Sequence, residues 1–132
     1  MITSILDGCL LNLTQALPHI GFALKYPDAP MPYPLKNTIV TLGVKGAKIG
    51  HNSLCAAKRF NIDLTLCVDI HSKCAEDCYT AFDSLYLCLM DEDSSYPFSS
   101  LEMQDITYDS TTSVFTLPIL AQLKLNTEED SK

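Results

Sequence analysis

Residues 60–70 constrain the fold more than any other part of the sequence, because apolar and polar side chains alternate there without a break. The apolar positions are Phe60, Ile62, Leu64, Leu66, Val68 and Ile70. Successive side chains of a β-strand point to opposite faces, so a period of two predicts a long strand with one buried and one more polar face. A chain with such a strand needs a sheet that is covered on one side.

Two segments have the three- and four-residue spacing of helices with one buried face. Residues 2–17 carry the stripe Ile2, Ile5, Leu6, Cys9, Leu10, Leu13 and Leu17. Pro18 ends this segment, because proline cannot continue a helical hydrogen-bond ladder. Residues 73–90 carry the stripe Cys74, Cys78, Ala81, Phe82, Leu85 and Leu89. We therefore expect two helices, over residues 2–17 and 73–90.

Four further segments predict strands, over residues 20–26, 39–44, 101–109 and 114–125. Residues 26–34 hold four prolines and predict an extended loop. Residues 46–58 show no sustained period and predict a long connection of the kind that often binds partners. Pro118 cannot donate to a strand ladder, so the last strand is expected at a sheet edge or at a bulge.

Together these elements predict one α+β domain over residues 1–126, followed by a polar C-terminal tail at residues 127–132. Its core is expected to be a mainly antiparallel five-stranded sheet with two helices packed on one face. A length of 132 residues suits a single domain with a sizeable core.

The charge balance is acidic but uneven. Nine basic and sixteen acidic residues give a net charge of −7, which disfavours non-specific binding to nucleic-acid phosphates. No acidic residue lies between Asp28 and Asp63, whereas five cations do: Lys36, Lys45, Lys48, Lys58 and Arg59. This asymmetry is typical either of a solvated loop face or of a basic patch that meets an acidic patch, including one on another copy of the chain.

No apolar run approaches the roughly 20 residues of a membrane-spanning helix, so we expect no membrane span. No cationic segment precedes an apolar one at the N-terminus, so we expect no export signal. The six cysteines are then expected to be reduced thiols that mainly pack in the core.

Two groups of residues could carry chemistry. His71, Cys74 and Cys78, with Cys67 as a fourth ligand, have ligand types that suit zinc, although their spacing matches no familiar zinc motif. Cys55 and His51 could form a nucleophile and base pair. Packing and an ordinary loop explain these residues more simply, so the sequence predicts no catalytic, cofactor-binding or metal site and no cofactor.

The order of these elements resembles a known family. The first helix and a strand are followed by the proline-rich segment "YPDAPMPYPLKNTIVTLGV", a long loop, the strand "FNIDLTLCVDI", the acidic helix "CAEDCYTAFDSL" and the hairpin "LEMQDITYDSTTSVFTLPILAQLKL". This arrangement, over residues 2–125, resembles the tail-terminator, tail-completion and minor tail proteins of tailed bacteriophages and prophages. The six cysteines are a departure, because the family does not require them.

The resemblance implies a non-enzymatic virion protein that forms a hexameric ring, ends the growth of the tail tube and docks to the head or neck. Its implied partners are copies of itself, the tail tube protein and a head or neck connector protein, with DNA passing as cargo and no membrane. Its implied location is the virion tail, after assembly in the bacterial host cytoplasm. Another neck, head-closure or baseplate component, or a small cysteine- or zinc-dependent enzyme, is the alternative.

For the assembly role, we expect the contacts to come from the proline loop, the long connection and the last strand. The candidate contact residues are Tyr33, Lys36, Lys45, Lys48, His51, Lys58, Arg59 and Pro118.

Overall fold

The computed structural model describes residues 2–24, 37–52, 59–91, 96 and 98–128, with backbone alone at residues 51, 52, 59, 60 and 126–128. Within these residues the chain forms two helices and six strands. They are α1 (Ile2–Ala16), β1 (Gly21–Leu24), β2 (Ile39–Asn52), β3 (Arg59–Ser72), α2 (Ala75–Leu89), β4 (Phe98–Met103), β5 (Thr107–Asp109) and β6 (Val114–Glu128). The predicted α+β class is confirmed.

The sheet is mainly antiparallel, as predicted, but it has six strands instead of five and includes one parallel pair. Its order is β1-β2-β3-β6-β4, and β5 also pairs with β6. The β1–β2 pair is parallel and the other pairs are antiparallel, so the sheet is mixed. The sixth strand arises because residues 101–109, predicted as one strand, contribute to two strands that pair with different parts of β6.

The predicted long connection at residues 46–58 is wrong for its first half, because residues 46–52 continue β2. A β-bulge lies between Val44 and Gly46. The extra residue moves the apolar side chains from even positions, such as Val44, to odd positions, such as Ala47 and Ile49. That shift of phase interrupts the period of two and hides the strand in the sequence.

The expectation that Pro118 lies in an edge strand is wrong. Its strand, β6, pairs with β3 on one side and with β4 and β5 on the other. The backbone N–H of Gln104 donates to the carbonyl oxygen of Pro118 at 2.9 Å. The nitrogen and oxygen of one strand residue point to the same side. The missing N–H of Pro118 therefore faces the gap between β4 and β5, where the ladder is already interrupted.

The core lies between the two helices and one face of the sheet, which we call the helix-covered face. Every second residue of β3 from Ile62 to Ile70, at the even-numbered positions, is at most 1% exposed. These residues share one apolar cluster with the buried stripes of α1 and α2. The opposite, far face carries Asn61 and Asp63, which are exposed. Neither described helix is long and apolar enough to cross a bilayer.

Helix and strand lengths set how far this cover extends. Fifteen residues of α-helix span about 22 Å, whereas the fourteen residues of β2 or β3 span about 46 Å. One helix therefore cannot cover a whole strand.

Candidate assembly surface

The second part of β2 has a neighbouring strand on one side only, among the described residues. The described part of β1 pairs with residues 39–42, whereas β3 pairs with β2 along its whole length. Every residue from 44 to 50 is exposed. Ile49 is 47% exposed although its partner Ile62 in β3 is 1% exposed. We call residues 44–52 the β2 edge.

The two faces of the β2 edge differ in chemistry. Val44, Ala47 and Ile49 pair with buried residues of β3 and so lie on the helix-covered face. Lys48 lies opposite Asp63 on the far face, and Asp63 lies opposite Lys124 of β6. The edge thus presents apolar side chains on one face and a cation on the other.

The structure brings four of the predicted contact residues to this part of the β2–β3 ladder. Lys45 lies at the bulge and Lys48 follows it, both exposed. His51 pairs with Phe60, and Arg59 pairs with Asn52, although only the backbone of these residues is described.

Three further predicted contacts, Tyr33, Lys36 and Lys58, lie outside the described residues. Pro118 lies apart from the β2 edge, half-buried in β6 opposite Asp69. Its role as an assembly contact therefore stays a prediction.

Among the residues that the structure describes, the opposite side of the sheet ends in a second edge, formed by β4 and β5 at residues 98–109, which we call the β4–β5 edge. Its charged residues, Glu102, Asp105 and Asp109, are all acidic and exposed. Met103 is 40% exposed and lies with Leu101 on the helix-covered face, because their partners Ile119 and Ala121 are core residues. Sequence reasoning missed this edge. The signal that could have found it is that residues 98–109 contain acidic residues but no lysine or arginine.

His71 is buried on the far face between two threonines of neighbouring strands. Its Nε2 lies 3.0 Å from Thr41 Oγ1, and its Nδ1 lies 2.9 Å from Thr116 Oγ1. Thr41 is 2% exposed and His71 is 5% exposed. Both ring nitrogens are therefore within hydrogen-bond reach of hydroxyls that tie β2, β3 and β6 together.

The suggested zinc ligands do not converge. The thiol of Cys78 lies on the helix-covered side, where it donates to the carbonyl oxygens of Ile70 at 3.7 Å and Phe115 at 3.8 Å. The ring nitrogens of His71 instead face hydroxyls on the far face. Within the described ranges, no three His, Cys, Asp or Glu side chains are arranged to hold a metal ion.

Two buried thiols and one half-buried thiol are held in their protonated form. Burial raises the pKa of Cys9 to about 11, and burial, with the Asp77 charge second, raises the pKa of Cys78 to about 11. Burial and then the Asp91 charge also raise the pKa of Cys88. The thiolate is the nucleophilic form, so these three cysteines are poor nucleophiles near neutral pH. Cys55 and the His51 side chain lie outside the described residues, so their suggested pairing stays a prediction.

A surface cleft of about 430 Å³ lies between the α1–β1 connection, the start of β2 and the first half of α2. Its lining includes Asn37, Lys73 and Asp77, and the Thr38 hydroxyl donates to Ser72 Oγ at 3.4 Å. Small-molecule sites are mostly apolar with a few polar groups, and this cleft has a more polar lining.

Comparisons with known proteins leave the family open. No family model matches the sequence, and no curated protein matches it. A solved chain from the virion of a native gene transfer agent particle aligns with 87% of this chain and 84% of its own length, at 10% identity and a TM-score of 0.45. A TM-score of this size does not establish a shared fold, so the match assigns neither a family nor a function.

Proposed function

We propose that this protein is a structural subunit of a phage-type tail, in which copies form a ring that ends the tail tube and joins it to the head or neck. The observation that carries the proposal is the β2 edge, a long strand segment with an exposed apolar face. An exposed strand edge is a template for pairing with another chain.

The described residues do not favour the alternative of a zinc site at His71 or of a nucleophilic role for Cys9 or Cys78. The ring nitrogens of His71 face threonine hydroxyls, and Cys9 and Cys78 have raised pKa values. The net charge of −7 suits a ring through which DNA passes without binding. The tail location, and partners in the tube and the head or neck, are part of this proposal.

Electron microscopy of the protein mixed with tail tubes of the same particle tests the proposal. We expect ring-shaped density at tube ends and tubes that stop growing. Ile49→Asp places a charge on the apolar face of the β2 edge and should abolish this capping. Leu87→Asp is the matched control, because Leu87 is 71% exposed on α2, away from the sheet edges. It should cap normally.

Two results would contradict the proposal. One is wild-type protein that never associates with tubes, and the other is equal capping by both variants. Density at the neck or baseplate instead of the tube end would favour the alternative components of the same particle.

A further inference from the structure

We infer that the β2 edge of one copy pairs with β4, the first part of the β4–β5 edge, of the next copy, so that the sheet continues from subunit to subunit. This inference rests on the proposed function and adds the two surfaces by which copies meet. It commits to a second copy of this chain as the partner of the β2 edge.

Sheet topology places the two edges so that such pairing can repeat. The edges lie at opposite sides of the β2–β3–β6–β4 layer. Three successive antiparallel pairs make β4 antiparallel to β2. Copies in the same orientation therefore bring β4 of one beside β2 of the next as an antiparallel pair. Contact between two different surfaces is head-to-tail, and it closes into a ring when the rotation fits.

The two edges match on both faces of the continued sheet. On the far face the β2 edge carries Lys48, and the β4–β5 edge carries Glu102, whose partner is Leu120 of β6. On the helix-covered face, the antiparallel register that sets Lys48 opposite Glu102 also sets Ile49 opposite Leu101 and Ala47 opposite Met103. Opposite charge thus lies beside opposite charge, and apolar surface beside apolar surface.

The same charges disfavour pairing of two identical edges. Two β2 edges would bring Lys45 and Lys48 against their own copies, and two β4–β5 edges would bring Glu102 and Asp105 together. Lysines and a bulge are common devices against like-edge pairing in isolated sheets. Here they leave an acidic edge as the favoured partner.

Charge reversal tests the inference through sedimentation velocity of the full chain. Wild type should self-associate in a concentration-dependent way that weakens with salt. Lys48→Glu alone and Glu102→Lys alone should each weaken association by about tenfold or more, since each sets like charges at every contact. An equimolar mixture of the two variants should restore it, because every mixed contact is complementary.

Matched controls separate the edges from general charge effects. Lys73→Glu and Asp83→Lys make the same charge changes at exposed positions off both edges, and both should associate like wild type. Urea unfolding of all variants checks that each is folded.

Three results would overturn the inference: wild type that stays monomeric at every concentration, Lys48→Glu and Glu102→Lys that associate normally, or a mixture that does not restore association. Failure of the proposed function looks different. Copies that pair by these edges but never bind tail tubes would leave the inference intact and remove the tail role. If Lys48→Glu and Glu102→Lys both cap tubes like wild type, the tail role stands and the inference about the two edges is removed.

Discussion

The two parts of β2 show how differently one strand can be used. Val40 and Leu42 are 0% and 1% exposed, whereas Val44 and Ile49, on the same face, are 42% and 47% exposed. The side chains are of the same type and pair with the same strand. Among the described residues, what differs is the outer neighbour, because β1 flanks residues 39–42 and no described strand flanks residues 44–52 on that side. A neighbouring strand on the outer side, rather than the residue type, therefore distinguishes the buried residues of β2 from those that a partner could reach.

The largest difference between the two parts of β2 is expected in the stability lost when one leucine or one isoleucine is truncated to alanine. Leu42→Ala should lower the free energy of unfolding by about 2–5 kcal/mol, because it leaves a cavity in the core. Ile49→Ala should lower it by less than about 1 kcal/mol, because Ile49 is half-exposed. Urea denaturation of both variants measures the contrast, and equal losses would contradict it.

The next largest effect is expected at Thr41. Thr41→Val should cost about 1–3 kcal/mol, because it removes the hydroxyl that faces His71 Nε2 at a site that is almost fully buried. The same change at Thr65, half-buried on the far face of β3, is the control and should cost less. A Thr41→Val protein as stable as wild type would mean that the hydroxyl contributes nothing to the free energy of unfolding.

Periodicity was sufficient to predict both helices and β3, since each keeps one phase along its length. It was insufficient where the phase changes. The bulge beside Lys45 concealed residues 46–52 of β2, and the gap facing Pro118 made an interior strand resemble an edge strand. Of the candidate site, the sequence predicted the cations Lys45 and Lys48. It could not predict that β4 lies across the sheet from them, because strand order is set by long-range pairing.

A pH-dependent effect on stability is expected from Cys78, which is buried in α2. Because the pKa of Cys78 is about 11 in the fold against an ordinary 9.0, the folded state keeps a proton that the unfolded chain releases. Its contribution to stability is complete below pH 9, falls as the pH rises from about 9 to 11, and then levels off. Cys78→Ala should remove part of this decline in urea unfolding series. Identical pH slopes for both proteins would contradict the assignment.

The smallest effect on stability is expected from a charge on the β2 edge. Ile49→Asp should lower the free energy of unfolding by only about 1 kcal/mol, because position 49 is half-exposed and Asp has a low β-propensity, while it lowers self-association in sedimentation velocity. Leu87→Asp should leave both quantities near their wild-type values. An Ile49→Asp protein that is strongly destabilised would show that the β2 edge belongs to the fold of the single subunit.

Amide hydrogen exchange at low and high subunit concentration tests most directly whether this protein works by joining strand edges. We expect slower exchange at high concentration in residues 44–52 and 98–103, with little change in residues 39–42, which are already flanked on both sides. Unchanged exchange at both edges, or slowing confined to the outer side of α2 around Tyr79 and Tyr86, would contradict it.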